Sequence, residues 1–251
     1  MNWEWQVFCK DTIEQQTLES CWAHGADMTY LQWMFTAWGW TALVAMSAMV
    51  VALALGLLVG TLRTLPNHPH LVRLGNAWVE LFRNIPLLVQ LFLWYHVVPT
   101  FIPAMRGVSG VVLVVIALGF FTSARIAEQV RSGIQALSKG QRQAAMAMGM
   151  TTAQTYRFVL LPMALRIVIP PLTSEAMNVF KNSSVAFAVS VAELTMFSMQ
   201  AQEETARGVE IYLGVTALYV VSALAINRVM AFIERRWGRV PGFTANTSGG
   251  H

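Results

Sequence analysis

A few polar residues sit in stretches that are otherwise apolar, and their types suit the capture of a small charged solute. Thr122 and Arg125 are one helical turn apart, so their side chains share a face. Glu175, Asn178 and Asn182 recur at i, i+3 and i+7, again one face, with Lys181 adjoining. A charge at the centre of a membrane helix costs roughly 2.5–3.5 kcal/mol on insertion scales, so such groups turn inward, toward a cavity or a partner. Plainer roles stay open: Arg125 with Glu128 three residues on, and Glu175 with Arg166 or Lys181, where Pro162, Pro170 and Pro171 free helix carbonyls. Other reactive types lack company. His96 has no second His, Cys or acid at ligand spacing, which argues for an aromatic-belt or core role over a metal site. Ser183-Ser184 has neither a nearby histidine nor a G-x-S-x-G elbow.

The elements that must position these residues are membrane helices. Of 251 residues, 55% are hydrophobic and 12% charged, against about 25% charged in soluble domains. Mean hydropathy is +0.50. An ordinary soluble enzyme is excluded, and 13 Phe and 9 Trp exclude disorder. With 17 Gly and 2 Cys the chain is neither collagen-like nor a disulfide scaffold. Residues 35–62 carry no charge and comfortably exceed the roughly 20 needed to cross hydrocarbon. Further spans are expected over 84–105, 108–124, 158–193 (a helix interrupted by prolines) and 211–227. Basic residues cluster after the first, third and fifth spans, so the positive-inside rule puts the N-terminus outside and the C-terminus in the cytoplasm, with five spans. This divides the chain into an external segment, 1–33, a transmembrane domain, 34–236, and a cytoplasmic tail, 237–251, frayed over 244–251.

The start of the chain lacks a basic n-region and an apolar core, so the first span is expected to act as the insertion signal. Cys9 and Cys21 fall outside, where a disulfide persists; two unpaired thiols read equally well. Trp3, Trp5, Trp22, Trp33, Trp38 and Trp40 read as interfacial anchors, and membrane lipid is therefore a partner. His68 and His70 fall in a proline-rich loop after the first span. The net charge of +4 belongs to the cytoplasmic loops and does not signal nucleic-acid binding.

Residues 131–163 carry the densest pattern. A short run of strong helix formers starts at Ser138 or Lys139 and closes at Gly149, a residue that readily takes the left-handed conformation ending helices. Thr151 or Thr152 then caps a second helix. Two short helices hinged at a glycine make a knob for a soluble partner, unless the segment is a plain surface loop. Ala144-Ala145, then Gly149, then Val159-Leu-Leu-Pro162 resembles the EAA loop of the permease subunits of binding-protein-dependent ABC importers, with Gln143 where that loop usually has an acid. Glu80-Leu-Phe-Arg-Asn-Ile-Pro-Leu-Leu-Val-Gln-Leu-Phe92, Phe180-Lys-Asn-Ser-Ser-Val185 and Val191-Ala-Glu-Leu194 are similar to the polar amino-acid subfamily, and 121–141 and 172–183 to its glutamate/aspartate importers.

The resemblance implies an all-α, MetI-like fold of five helices in a bacterial inner membrane. It implies a transport subunit that is not itself an enzyme, with no cofactor of its own, since ATP and Mg would sit in a partner. The sequence agrees: Lys10, Lys139 and Lys181 all lack the preceding glycine of a phosphate-binding loop. The implied partners are an ABC ATPase dimer, a second permease subunit and a periplasmic amino-acid-binding protein. The implied coupling residues are Gln141, Arg142, Gln143, Ala144, Ala145 and Gly149, within 138–163, seated in an ATPase groove. The implied substrate site is Thr122, Arg125, Glu175 and Asn178. Glu175 would hold the ammonium, Asn178 and Thr122 the α-carboxylate, and Arg125 a side-chain carboxylate, which selects glutamate or aspartate. The alternatives are glutamine, histidine or arginine as substrate, an intramembrane enzyme using His96 or Glu175, and an ion-coupled secondary transporter.

Overall fold

The first span is built to be approached closely. Ala48, Ala52, Gly56 and Gly60 form a stripe of small, buried residues at four-residue spacing, the pattern that lets membrane helices touch backbone to backbone. In the computed structural model, which describes residues 3–23 and 25–237, this stripe lies on helix α1 (Tyr30–Leu62), 33 residues long. Arg239 and the expected frayed tail lie outside the described residues.

After α1 come α2 (Pro69–Asn84), α3 (Leu87–Phe92), a π-helical stretch at Leu93–Val97, α4 (Val98–Phe101) and α5 (Gly110–Gln135). A Cβ on Gly119 would meet Val51 at 2.7 Å, one on Gly56 would meet Ile126 at 2.6 Å, and one on Gly60 would meet Val130 at 2.7 Å. Contacts that advance together along both chains make α1 and α5 parallel neighbours. The segment between them must therefore carry the chain back along α1.

It does so with a break. The loop expected after the first span is instead α2, a 16-residue amphipathic helix that turns Gly75, Val79 and Phe82 inward and Arg73, Glu80 and Arg83 outward. His70 lies on this helix. The chain then bends by 105° between α2 and the Leu87–Phe101 helix. Pro86 has no N–H to continue a helix, and the carbonyls freed at the bend are satisfied from inside. The buried Gln90 amide donates to Phe82 O and Ile85 O, both at 2.8 Å. The single span expected over 84–105 is thus the shorter arm of a bent pair. Among the described residues four helices are long and apolar enough to cross a membrane, and there are up to five crossings if the bent pair counts as one.

Beyond α5 follow α6 (Lys139–Ala147), α7 (Thr152–Thr155), a π-helical stretch at Tyr156–Leu160, α8 (Leu161–Asn182), α9 (Leu194–Thr205) and α10 (Gly208–Trp237). The fourth span differs from the interrupted helix expected over 158–193. Pro170 and Pro171 lie inside an unbroken α8, on an exposed face with Arg166 and Ser174. The wide turn comes earlier, at Tyr156–Leu160, and the helix ends at Asn182 before a 3-10 stretch, Ser183–Val189. Helix α9 has no counterpart among the expected elements. It starts under the buried Glu193, whose Oε1 accepts Met196 N–H at 2.9 Å, while Leu194 N–H donates to Thr41 Oγ1 at 3.0 Å.

The first span begins earlier than residue 35, because Thr29 and Gln32 form a reciprocal capping box ahead of Tyr30. The preceding described residues fold into a small cap. Cys9 and Cys21 are disulfide-bonded. The buried Asp11 accepts from Asp27 N–H at 2.9 Å, Glu14 N–H at 3.0 Å and Ile13 N–H at 2.8 Å. Those backbone donors, Asp27 foremost, hold its carboxyl below the usual carboxylate range. Val7 and Phe8 pack with Ile211 and Val215 of α10. Tyr30 Oη donates to Glu204 at 2.8 Å, Glu4 pairs with Arg207 at 2.8 Å, and Glu4 N–H donates to Glu210 at 3.0 Å. Trp3, Trp5 and Trp22 are exposed on the cap, as interfacial anchors should be.

Candidate functional site

Helix α8 packs antiparallel to α5. Gly133 lies against Ala164 and Val168, and with that register set, Arg125 meets Glu175. The guanidinium grips the carboxylate with both prongs, Nε to Oε2 at 2.9 Å and Nη2 to Oε1 at 3.2 Å. Gln129, one turn below Arg125, adds a third donor to Oε1 at 3.0 Å. The two ends of the pair are unequal: the Glu175 side chain is 5% exposed and that of Arg125 41%. A buried carboxylate is therefore held by a cation that still reaches the surface of the chain.

The plainer pairings do not occur. Glu128 binds Arg63 at 2.6 Å and Arg131, so Arg125 is not its partner. Arg166 and Lys181 are exposed. Thr122 is buried one turn before Arg125, and Asn178 is half-buried one turn after Glu175. The structure thus brings Arg125 and Glu175 into contact and leaves Thr122 and Asn178 on the adjoining turns. Two polar contributors were not anticipated. Gln129 extends the Thr122–Arg125 face and was visible as the next polar residue at helical spacing. The Arg63–Glu128–Arg131 group joins α1 to α5, and Arg63 Nε also binds Asn76 of α2 at 2.7 Å.

The second group lies on α6. Ser138 is its N-cap and Met148 its C-cap, and Gly149 follows at φ +82°. Met150 N–H returns to Ala145 O at 3.2 Å and Gly149 N–H to Met146 O at 3.0 Å, the paired bonds of a Schellman ending. A Cβ at Gly149 would meet nothing within 4 Å. Glycine is needed there for its backbone conformation and not for space. Ala145 is buried, while Gln143, Ala144, Ala147 and Met148 are exposed, giving a small apolar outer face. Gln141 and Arg142 are half-buried, and Arg142 lines a cavity on the inner side. Thr151 and Gln154 form the second cap as a reciprocal box, and Tyr156 Oη anchors the segment by donating to Thr64 O at 2.5 Å.

No cluster of three or more His, Cys, Asp or Glu that could hold a metal ion occurs among the described residues. His96 is exposed against Tyr95 and Phe92.

Residues 52–239 match the family described as binding-protein-dependent transport system inner membrane component. The chain belongs to that family. This permease is 36% identical to the glutamate/aspartate import permease protein GltJ of Escherichia coli K12, over 96% of this chain and 97% of that protein. It is 35% identical to the probable glutamine ABC transporter permease protein GlnM of Bacillus subtilis, over 78% of this chain and 89% of that one. A crystal structure of an amino acid ABC transporter with histidines superposes at TM-score 0.72, with 30% identity, over 82% of the permease and 95% of that chain. The inward-facing MetNI methionine ABC transporter gives TM-score 0.65 at 22% identity, over 84% and 96%, a likeness of fold. The permease is thus a multi-pass component of a bacterial inner membrane and not an enzyme. The intramembrane-enzyme and secondary-transporter alternatives give way to this membership.

Proposed function

We propose that the chain is the membrane-spanning subunit of an ATP-driven importer that moves polar amino acids, glutamate and aspartate foremost, from periplasm to cytoplasm. It would cross the membrane five times with its N-terminus outside. The observation that carries the substrate reading is the Arg125–Glu175 pair. Opposite charges held against each other in a span match, in mirror image, the ammonium and carboxylates of an amino acid. Without substrate they neutralise one another, which avoids an unpaired charge in hydrocarbon. A zwitterion can exchange that internal pair for two external ones, Glu175 taking the ammonium and the half-exposed Arg125 a carboxylate, with Thr122 and Asn178 alongside. A second carboxylate on the substrate adds to the draw on Arg125. The names of the GltJ and GlnM relatives fit an acidic or amide side chain.

The segment that carries Gln141, Arg142, Gln143, Ala144, Ala145 and Gly149 would couple the subunit to an ABC ATPase dimer, with Gln143 and Ala144 on the face it offers. A second permease subunit and a periplasmic binding protein would complete the complex. A short helix closed by a Schellman ending moves as a body with whatever grips it. Because a ligand shifts an equilibrium only by its differential affinity for two states, the loaded binding protein must favour the outward-open form.

The test is uptake by the reconstituted complex. Arg125→Ser should lose glutamate uptake about tenfold or more relative to glutamine, the order of a lost charge-assisted hydrogen bond. An unchanged glutamate-to-glutamine ratio rejects the selectivity role. Uptake that survives inactivation of the ATPase rejects the ATP-driven reading.

A further inference from the structure

A cavity of about 300 Å³ lies where α1, α5 and α6 meet. Arg63, Lys139 and Arg142 line it together with Gln135, Ser138 and Tyr156, and none of its lining residues is a carboxylate. The three cations are not equivalent. Arg63 is spent on Glu128 and Asn76, and Glu128 is itself shared with Arg131. Tyr156 Oη is spent on Thr64 O. Lys139 and Arg142 form no ion pair among the described residues. The Ser138 side chain does not cap α6, so the first amides of that nine-residue helix, beside Lys139, have no side-chain acceptor. Two unmatched cations and an open positive helix end thus converge on one concavity, which is the electrostatic requirement for an anion.

Two further facts narrow the anion. First, α1 and α5 are parallel membrane helices and both end at this cavity, so it opens at the depth of lipid headgroups. Second, at 100° per residue, Arg142 and the buried Ala145 fall on one face of α6 and the exposed Gln143, Ala144 and Ala147 on the opposite one, with the exposed Lys139 and Met148 at the two borders. The cavity therefore lies behind the helix relative to its exposed apolar face, between the coupling segment and the membrane. An ATPase seated on the outer face would leave it open to lipid.

We propose that this cavity seats the phosphate of an anionic phospholipid headgroup, held by Lys139 and Arg142 at the root of α6. The bound lipid would fill the gap between the coupling segment and the ends of the spans, making the coupling dependent on membrane charge. A basic side chain near an anionic surface contributes about fivefold in affinity, which sets the scale of the test.

The intact importer, purified with its ATPase in detergent, is titrated with phosphatidylglycerol, phosphatidylcholine and inorganic phosphate, and bound lipid is counted by native mass spectrometry. The expected result is phosphatidylglycerol retained over phosphatidylcholine, an affinity about fivefold weaker in Lys139→Gln, its recovery in Lys139→Arg, and no displacement by inorganic phosphate. Equal retention of the two lipids, or an unchanged affinity in folded Lys139→Gln, overturns the proposal. Displacement by inorganic phosphate makes this a soluble-anion site and overturns the lipid assignment. Binding by the free subunit that disappears in the complex overturns it in favour of an ATPase side chain as the occupant. None of these outcomes depends on which amino acid is carried.

Discussion

The cap at residues 3–29 and the segment at 138–163 are both short, irregular extensions of the helix bundle, yet they are attached in opposite ways. The cap is tied redundantly: a disulfide, the Asp11 knot, the Tyr30–Glu204 and Glu4–Arg207 contacts, and Phe8 packed on α10. In the other segment the stretch 138–150 has one buried residue, Ala145, and a left-handed glycine at its hinge. It is held from beyond that hinge, where Tyr156 and Leu160 pack with Ile126 and Val130 and the Tyr156 hydroxyl reaches the end of α1. Several small interactions that each suffice for position give a part that holds its place. A few that are each necessary give a part that can be displaced as a unit.

The contrast can be broken at its sharpest point first. Gly149→Val forces a β-branched residue to φ +82°, at about 1–3 kcal/mol of strain. Recovery of the ATPase with the subunit should fall tenfold or more; full co-purification and uptake would remove the hinge from the account. Cys9→Ser with Cys21→Ser should cost about 3 kcal/mol of local cap stability, read as faster hydrogen exchange over 3–29. Substrate uptake should stay unchanged, because the remaining ties hold the cap in place. Tyr156→Phe removes one hydrogen bond worth about 1 kcal/mol. It should raise substrate-independent ATP hydrolysis a fewfold while leaving the melting temperature nearly fixed, and unaltered coupling would mean that the segment has anchors beyond this one.

The smallest effect is one of pH. Because the folded Asp11 carboxyl titrates below its ordinary 3.8, its contribution is complete above that value and is lost as pH falls through the lower folded one. Cap exchange should be flat from neutrality down to the ordinary value and rise below it, and Asp11→Asn should abolish that acid limb. A rise near neutrality would locate the pH-sensitive group elsewhere.

What could be read from the sequence follows the range of each interaction. Spans were legible because some 20 uncharged residues in a row have one use, and the α6 ending because Gly149 after a run of helix formers has few others. Helix α2 was not: His68, Pro69 and His70 read as a loop start, although Gly75, Val79 and Phe82 already carried the spacing of a buried face. The bend at Pro86 was half legible, since the proline announces it but nothing in the sequence marks Gln90 as the residue that closes it. Arg125 and Glu175 were each conspicuous, and their union was not. It joins residues 50 apart in sequence and depends on how far α5 slides along α8, which Gly133, Ala164 and Val168 decide.

Helix α1 links the two extensions physically. Its first residue, Tyr30, is bound into the cap, and just past its last turn the carbonyl of Thr64 receives Tyr156. At 33 residues it is about 50 Å long, well beyond the roughly 30 Å of hydrocarbon. A rod of that length rocking by 10° about its middle moves each end by about 4 Å, in opposite senses. A spectroscopic label on the cap is therefore a pointer whose swing would report, on one side of the membrane, any motion of the Thr64 end on the other.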